Sequence, residues 1–466
     1  MSRIIPGVQV TVVKDVVPPQ LAPSGVLGVI GITETVPEAT ERASSWSRFV
    51  EIFGPASTYS MPEARQAIQN GVFELVICPL SKDAGVRSTV EIKGAGKKRS
   101  FILEARAPGP WANGLQIKIE KRGSDLFDLS VQIPETTDYE IHRNISIKSS
   151  IDGADNPAYV ETVINNRSSV VRVKEKSVSE SVQPEGANPY LLSGGVDAGT
   201  GDYVQMLQEL KNEPDVDMVL ASVQDLKSEE EKAKTATKEK AAKIHSEIIS
   251  HCNNMSEDSK GRIGFGQIPA GTTPDEASDM VNSTISDRFV LVAPHGVAGA
   301  VAGMIGSLNY YQSPTFKNVS GLGAFQSGFG IEDQRKLLKA HVVPIINERG
   351  RGTILLRGLT TDGDQINVRR IADRAVRGVK LIGEGFIGRL NTEDGRGALK
   401  QKLIEFLTQM EKDNAIVPST DGTDPAFKVD VYSSQADFAK GIVRIDMAVR
   451  PVRAIDFIYA TIQVQV

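Results

Sequence analysis

The side chains able to do chemistry are few and poorly spaced for it. The five histidines, His142, His245, His251, His295 and His341, are scattered through 466 residues. His245 and His251 lie six apart in a helical pattern, not at the i, i+4 spacing that lets two imidazoles share a metal ion. The pattern reads them as lying on opposite sides of a helix with a solvated face. GEGFIG at 383–388 has the glycine spacing of a dinucleotide loop, but no strand–turn–helix unit surrounds it, and the next helix is expected only near Arg396, past NTEDGRG. GGVDAGTG at 194–201 lacks the Lys-Ser/Thr ending of a phosphate cradle. In TDGDQIN, Asp362 and Asp364 stand at a calcium-loop spacing, yet Ile366 occupies the place of the next oxygen ligand. No Gly-x-Ser-x-Gly nucleophile elbow occurs. The expectation is no catalytic residue, no metal site and no cofactor.

The elements that would position such groups are better marked at the chain ends than anywhere else. In IVRIDMAVR, Val443, Ile445, Met447 and Val449 share one face and Arg444, Asp446 and Arg450 the other, the period of a half-buried strand. After Pro451, Ile458, Ala460, Ile462, Val464 and Val466 alternate with Tyr459, Thr461, Gln463 and Gln465 to the last residue. Near the start, Val8, Val10 and Val12 alternate with Gln9, Thr11 and Val13 until Pro18-Pro19. Both ends read as strands needing a sheet edge, either within the same chain or on a neighbouring subunit by β-augmentation.

Length predicts two to four domains. A hydrophobic content of 40% with 24% charged residues fits a globular protein, and a net charge of −5 argues against a coat for nucleic acid. Cys78 and Cys252 imply no disulfide framework. MSRIIPGVQV is not a signal peptide, and FVLVAPHGVAGAVAGMIGSL at 289–308 is broken by Pro294-His295 into a strand and a glycine-rich helix instead of spanning a membrane. Gly299, Gly303 and Gly306 would let that helix approach a sheet closely.

Strand-like runs beginning near 26, 73, 216, 262 and 288 could share one sheet, with helices between them; Thr273, Pro274 and Glu276 form a complete helix start. Residues 82–189 change to short β runs bounded by Gly, Pro, Asn and Asp. The fold class is thus α/β and α+β multidomain. Its expected parts are an N-terminal arm (1–22), a discontinuous α/β middle domain (23–81 and 190–344), an inserted β-rich domain (82–189), a C-terminal α+β domain (345–457) and an arm strand (458–466). In the C-terminal domain NVRRIADRAVRGVK puts Val368, Ile371, Ala372, Ala375, Val376 and Val379 on one helical face and its cations on the other. ALKQKLIEFLTQME does the same with Leu399, Leu403, Phe406, Leu407 and Met410 inward. Each charged face could meet an acidic protein surface.

Several ordered segments carry a resemblance: Pro6-Gly7-Val8, SSWSRFVEIFG, AIQNGVFELVICPL, ARAPGPWANGLQIKI, LLSGGVDAG, NVRRIADR and the closing AVRPVRAIDFIYATIQVQV. Together the chain resembles the tail sheath proteins of contractile phage tails and related contractile injection systems, including tailocins and extracellular injection systems. It departs from that pattern after RFVLVAP, where PHGVAGAVAGMIG followed by NYYQSPTFKNVSG replaces a proline-rich patch leading into a helix, and in a C-terminal domain without a tryptophan. The resemblance implies a structural, non-enzymatic subunit made in a bacterial cytoplasm. It would assemble with copies of itself into stacked six-membered rings around an inner tail tube, meeting baseplate and terminator proteins but neither nucleic acid nor membrane directly. It also implies that both arms link neighbours by strand exchange, and that Arg369, Arg370, Arg374, Arg377, Lys400 and Lys402 of the inner domain are candidates to face the tube. An enzyme built on the α/β domain, or a non-contractile ring protein, are the alternatives.

Overall fold

The computed structural model describes residues 21, 23–133, 138–186, 189–224, 231–322 and 328–461. Among them, two compact units form: one built on Pro23–Asp373 and rejoined by the chain at Val452, the other on Arg374–Pro451.

The first unit is organised by an eight-stranded sheet. Its order across is Gly352–Leu355, Val343–Glu348, Phe289–Ala293, Ile263–Gln267, Met218–Ala221, Val26–Gly31, Glu74–Pro79 and Glu41–Ala43. The six inner strands are parallel and the two edge strands antiparallel. Inner strands such as VLGVIG and FVLVA are buried along their whole length, as continuous apolar runs must be when helices cover both faces. The sheet contains all five strands expected from the sequence. It also extends further: Val343–Glu348 and Gly352–Leu355 carry it past the expected domain boundary at 344, and the units separate only at Asp373, inside the helix Ile366–Glu384. The reason is local, since VPIINE is as buried as a middle strand over its first four residues and pairs with Phe289–Ala293.

Helices start where side chains accept the free amides. Ser45 caps Trp46–Phe53, whose Phe49 and Phe53 are fully buried with ring centres 5.2 Å apart and planes tilted by 40°. Thr273 caps Pro274–Asn282 in a reciprocal box with Glu276. The glycine-rich segment forms a strand and the helix Ala298–Ser307, and no described helix is long and apolar enough to cross a membrane. Its glycines chiefly face a helix: a Cβ on Gly299 or Gly303 would lie 2.4 Å from the backbone of Glu63 or Ala67 in Pro62–Gln69, while Gly306 faces Met218 of the sheet.

Residues 82–189 build separate small sheets with a core of their own, centred on Phe101, Leu103, Ile117, Phe127, Leu129 and Val171. They leave from the carboxyl end of Glu74–Pro79 and return shortly before the helix Thr200–Glu209.

Candidate assembly surfaces

The second unit holds the strands Phe427–Tyr432 and Arg444–Val449, antiparallel from Phe427 opposite Val449 to Tyr432 opposite Arg444. Their alternation produces one face of Val429, Val431, Val443 and Ile445, which packs on Ile382, Leu399 and Leu403. Leu399 and Leu403 lie on the helix Glu393–Lys412. That helix begins three residues before the position expected near Arg396, because Thr392 accepts a hydrogen bond from the Gly395 amide and Glu393 and Asp394 suit the positive helix end. GEGFIG is the end of the preceding helix and the turn after it, with no strand before it.

Among the described residues each of the two strands pairs only with the other, so neither outer edge is covered by a further strand. A groove of about 230 Å³ runs beside Val443 and Ile445, lined by Phe386, Leu390 and Leu399. Ile387 and Leu390 at its rim are 84% and 82% exposed. On the solvent face Asp430 stands opposite Asp446, a repulsive pairing. The Lys400 ammonium, 3.0 Å from Asp430, offsets it and holds that carboxyl below its ordinary range.

The six candidate cations do not share one environment. Arg370 is 6% exposed and donates to the carbonyls of Ile305 and Leu308, closing the carboxyl end of Ala298–Ser307. This corrects its assignment to an exposed face: the buried stripe of Ile366–Glu384 runs through Asn367, Arg370, Ile371 and Ala375, whereas Val376, expected inside, is 37% exposed. Arg369 bonds Asp287 at 2.8 Å and Asp373 at 3.0 Å, and Arg288 grips the same Asp373 with both Nη atoms. Lys402 pairs with Glu405 at 3.1 Å, and Arg374 and Arg377 are half-buried.

Of the arm residues, Val8, Val10, Val12, Ile462 and Val464 lie outside the described residues. Residues 452–461 pair with no strand; Ile458 and Tyr459 are 84% and 93% exposed, and Ala460 is exposed as well.

An enzyme on this sheet would bind its substrate where the strand order reverses, at the carboxyl ends of Val26–Gly31 and Met218–Ala221. That region is filled. Ser222 Oγ donates to Glu63, Gln267 Nε2 donates to Glu63 Oε1 at 3.1 Å, and Gln267 Oε1 accepts the amides of Gly296, Val297 and Ala298. Burial pushes the Glu63 carboxyl above its ordinary range. The cavity bordered by His245, Gln267 and His295 measures about 20 Å³, room for one water. His245 and His251 are 4% and 3% exposed, not on a solvated face; six residues turn a helix by about 600°, so the two side chains diverge by roughly 120° and a broad buried face holds both. Among the described residues no group of three or more acidic, His or Cys side chains could hold a metal ion.

Two sequence profiles match the chain: that of the phage tail sheath protein central domain over residues 197–361, and that of the phage tail sheath C-terminal domain over 360–465. Together they cover more than half of it. The chain belongs to the phage tail sheath family. No curated protein sequence matches this sheath protein. Among solved structures, it is similar to a sheath tail protein from Listeria innocua, at 15% identity and TM-score 0.51 over 93% of both chains. It is also similar to the contracted helical sheath of the anti-feeding prophage, at 13% identity and TM-score 0.54 over 99% of both chains. The contracted sheath of the extracellular contractile injection system PVC matches at 11% identity and TM-score 0.55, over 99% of this chain and 98% of that one. These likenesses concern the fold, and family membership makes the protein a structural sheath subunit.

Sequence reasoning missed Glu63, Gln267, Arg288 and Asp373. Nothing in a single sequence marks polar residues that meet from 85 or 204 positions apart.

Proposed function

We propose that this protein polymerises head to tail into a helical sheath around an inner tube and drives that tube forward by contracting, with no catalytic step of its own. The observation that carries the reading is the two-stranded sheet of the Arg374–Pro451 unit, which among the described residues pairs with no third strand and lies beside an apolar groove, in a chain whose residues 458–461 are exposed and join no strand. An edge of this kind accepts a strand from another subunit through backbone hydrogen bonds, with alternate side chains filling apolar space. The arms carrying Val8, Val10 and Val12 and Ile458, Ala460, Ile462 and Val464 supply such strands. Head-to-tail contacts that do not close on themselves generate a helix of stacked rings, and the end rings would meet baseplate and terminator proteins. Arg369, Arg374, Arg377, Lys400 and Lys402 remain the candidate tube-facing cations; Arg370 is withdrawn because its hydrogen bonds are met inside the protein. The filled crevice around Glu63 and Gln267 supports a structural role over an α/β enzyme.

The test is electron microscopy of the purified full chain, of a variant lacking residues 458–466, and of Lys400→Glu with Lys402→Glu co-expressed with the tube. Hollow striated tubes are expected from the full chain and only short or single particles from the deletion, both with the same folded spectrum. The charge-reversed chain should still polymerise alone but lose tube-filled extended particles. Long tubes from the deletion variant would sink the arm reading, and unaltered tube-filled particles from the double variant would move the tube contact elsewhere.

A further inference from the structure

The segment following Pro451 returns to the first unit and is held there by a set of hydrogen bonds and ion pairs whose last member is Asp456. Asn367 Nδ2 donates to the Val452 carbonyl at 3.1 Å. Gln365 both donates to the Ala454 carbonyl at 3.0 Å and accepts from the Ala454 amide at 2.8 Å, so one side-chain amide stands in for the neighbouring strand that residue lacks. Arg453 bonds Asp364 at 2.6 Å, and Arg357 Nε bonds Asp456 Oδ2 at 2.9 Å. Gln365 and Asn367 are 7% and 1% exposed, and the Asp456 side chain is 6% exposed. The Arg357 guanidinium also lies 5.0 Å from the Phe457 ring centre. Immediately beyond, Phe457, Ile458 and Tyr459 are 63%, 84% and 93% exposed.

We propose that Arg357, Gln365, Asn367 and Asp456 are positioning residues that fix the root of the C-terminal arm, so that the exchangeable strand begins at Phe457 and its reach is set by the protein. This rests on the reading that the arm pairs with a second copy of the chain. The ten residues Phe457–Val466 span at most about 33 to 36 Å when extended, whereas release back to Val452 would free five more and add about 17 to 18 Å. A longer tether lowers the effective concentration of its tip roughly as the −3/2 power of length, about twofold here. It also leaves five more residues to be ordered at each docking event. The root therefore delivers the strand at a defined distance and with its ordering cost already met during folding. Asp456 matters most: its partner is a half-buried cation, and a carboxylate this enclosed loses much if that cation is removed.

Trypsin supplies a readout independent of assembly. Arg450 precedes proline and resists cleavage, and no Lys or Arg lies between Ala454 and Val466, so a cut after Arg453 releases Ala454–Val466 as one piece. The experiment compares the full chain with Asp456→Asn, Gln365→Ala, and the exchange Arg357→Asp plus Asp456→Arg. Release of the thirteen-residue peptide, followed by mass spectrometry on native protein, should quicken at least severalfold in the first two, with urea unfolding of the body unchanged. The protein concentration needed for sheath formation should rise at least twofold, and the exchange should restore both values toward those of the unaltered chain. Faster peptide release with unaltered assembly, or unaltered release in both single variants, overturns the proposal. If deleting 458–466 also leaves assembly unaltered, the arm reading itself has failed; if that deletion abolishes assembly while the single variants do not affect it, only the positioning role has.

Discussion

Single polar side chains in this protein do architectural tasks that an enzyme would give to substrate. Gln267 joins the amino end of a helix to Glu63, Arg370 closes the carboxyl end of the same helix, and Arg262, wholly buried, bonds the carbonyls of Leu210 and Glu213 and the ring of His251. The buried histidines carry a cost in acid. Burial lowers His245 to about 4, and burial together with the Arg262 guanidinium lowers His251 to about 3, from an ordinary value of 6.5. The unfolded chain takes up these protons near pH 6.5 while the folded core resists to lower pH, so stability is fully present above pH 6.5 and falls as the pH drops toward 4. For His245 alone the loss should reach roughly 2 kcal/mol by pH 5. Urea unfolding at pH 7.5 and pH 5 measures it, and His245→Gln should shrink the difference between the two.

Among elements, the contact between Ala298–Ser307 and Pro62–Gln69 is the tightest test of packing. The glycines of AGAVAGMIGS give the helix little surface chemistry and instead let backbone meet backbone, with Gly303 against Ala67. A valine there must push two helices apart, and overpacking of this kind costs about 1 to 3 kcal/mol. Gly303→Val should lower the unfolding free energy by that amount, seen as a lower urea midpoint at constant slope, whereas valine at the exposed, unobstructed Gly397 should cost less than half as much. The glycine spacing was visible in the sequence; the partner was expected to be the sheet and is mainly a helix, because spacing specifies closeness and not the identity of the neighbour.

At the scale of the whole molecule, arms that pair with a neighbour as proposed would be poised near balance. Burying Val8, Val10 and Val12 would contribute about 1.5 to 3 kcal/mol each, about four backbone hydrogen bonds would add about 1 kcal/mol apiece, and ordering roughly eight residues costs about 8 to 16 kcal/mol. An arm near zero net free energy docks only where other contacts already hold the neighbour, which makes growth cooperative. On the proposed function, contraction is a movement of subunit bodies between two packings while the strands stay paired. Purified extended particles in nucleotide-free buffer should contract to the same length as particles given ATP; dependence on added ATP would require an energy source the filled crevice does not suggest.

The sequence by itself determined the parts that depend on local periodicity and capping: the buried strands from Val26 to Ala293, the start at Thr273, the alternation of Arg444–Val449 and the order of segments that marks the family. Only the tertiary structure decided matters that depend on which residues meet across long separations. It carried the large sheet through Val343–Glu348 and Gly352–Leu355, because a strand joins whichever edge its burial requires and not the domain its position suggests. It turned Arg370 from a surface cation into a cap, since a carbonyl 65 residues away is not visible in a helical pattern. And it fastened Val452–Asp456 to Arg357, Gln365 and Asn367, where polar side chains supply the hydrogen bonds that a strand would otherwise have provided.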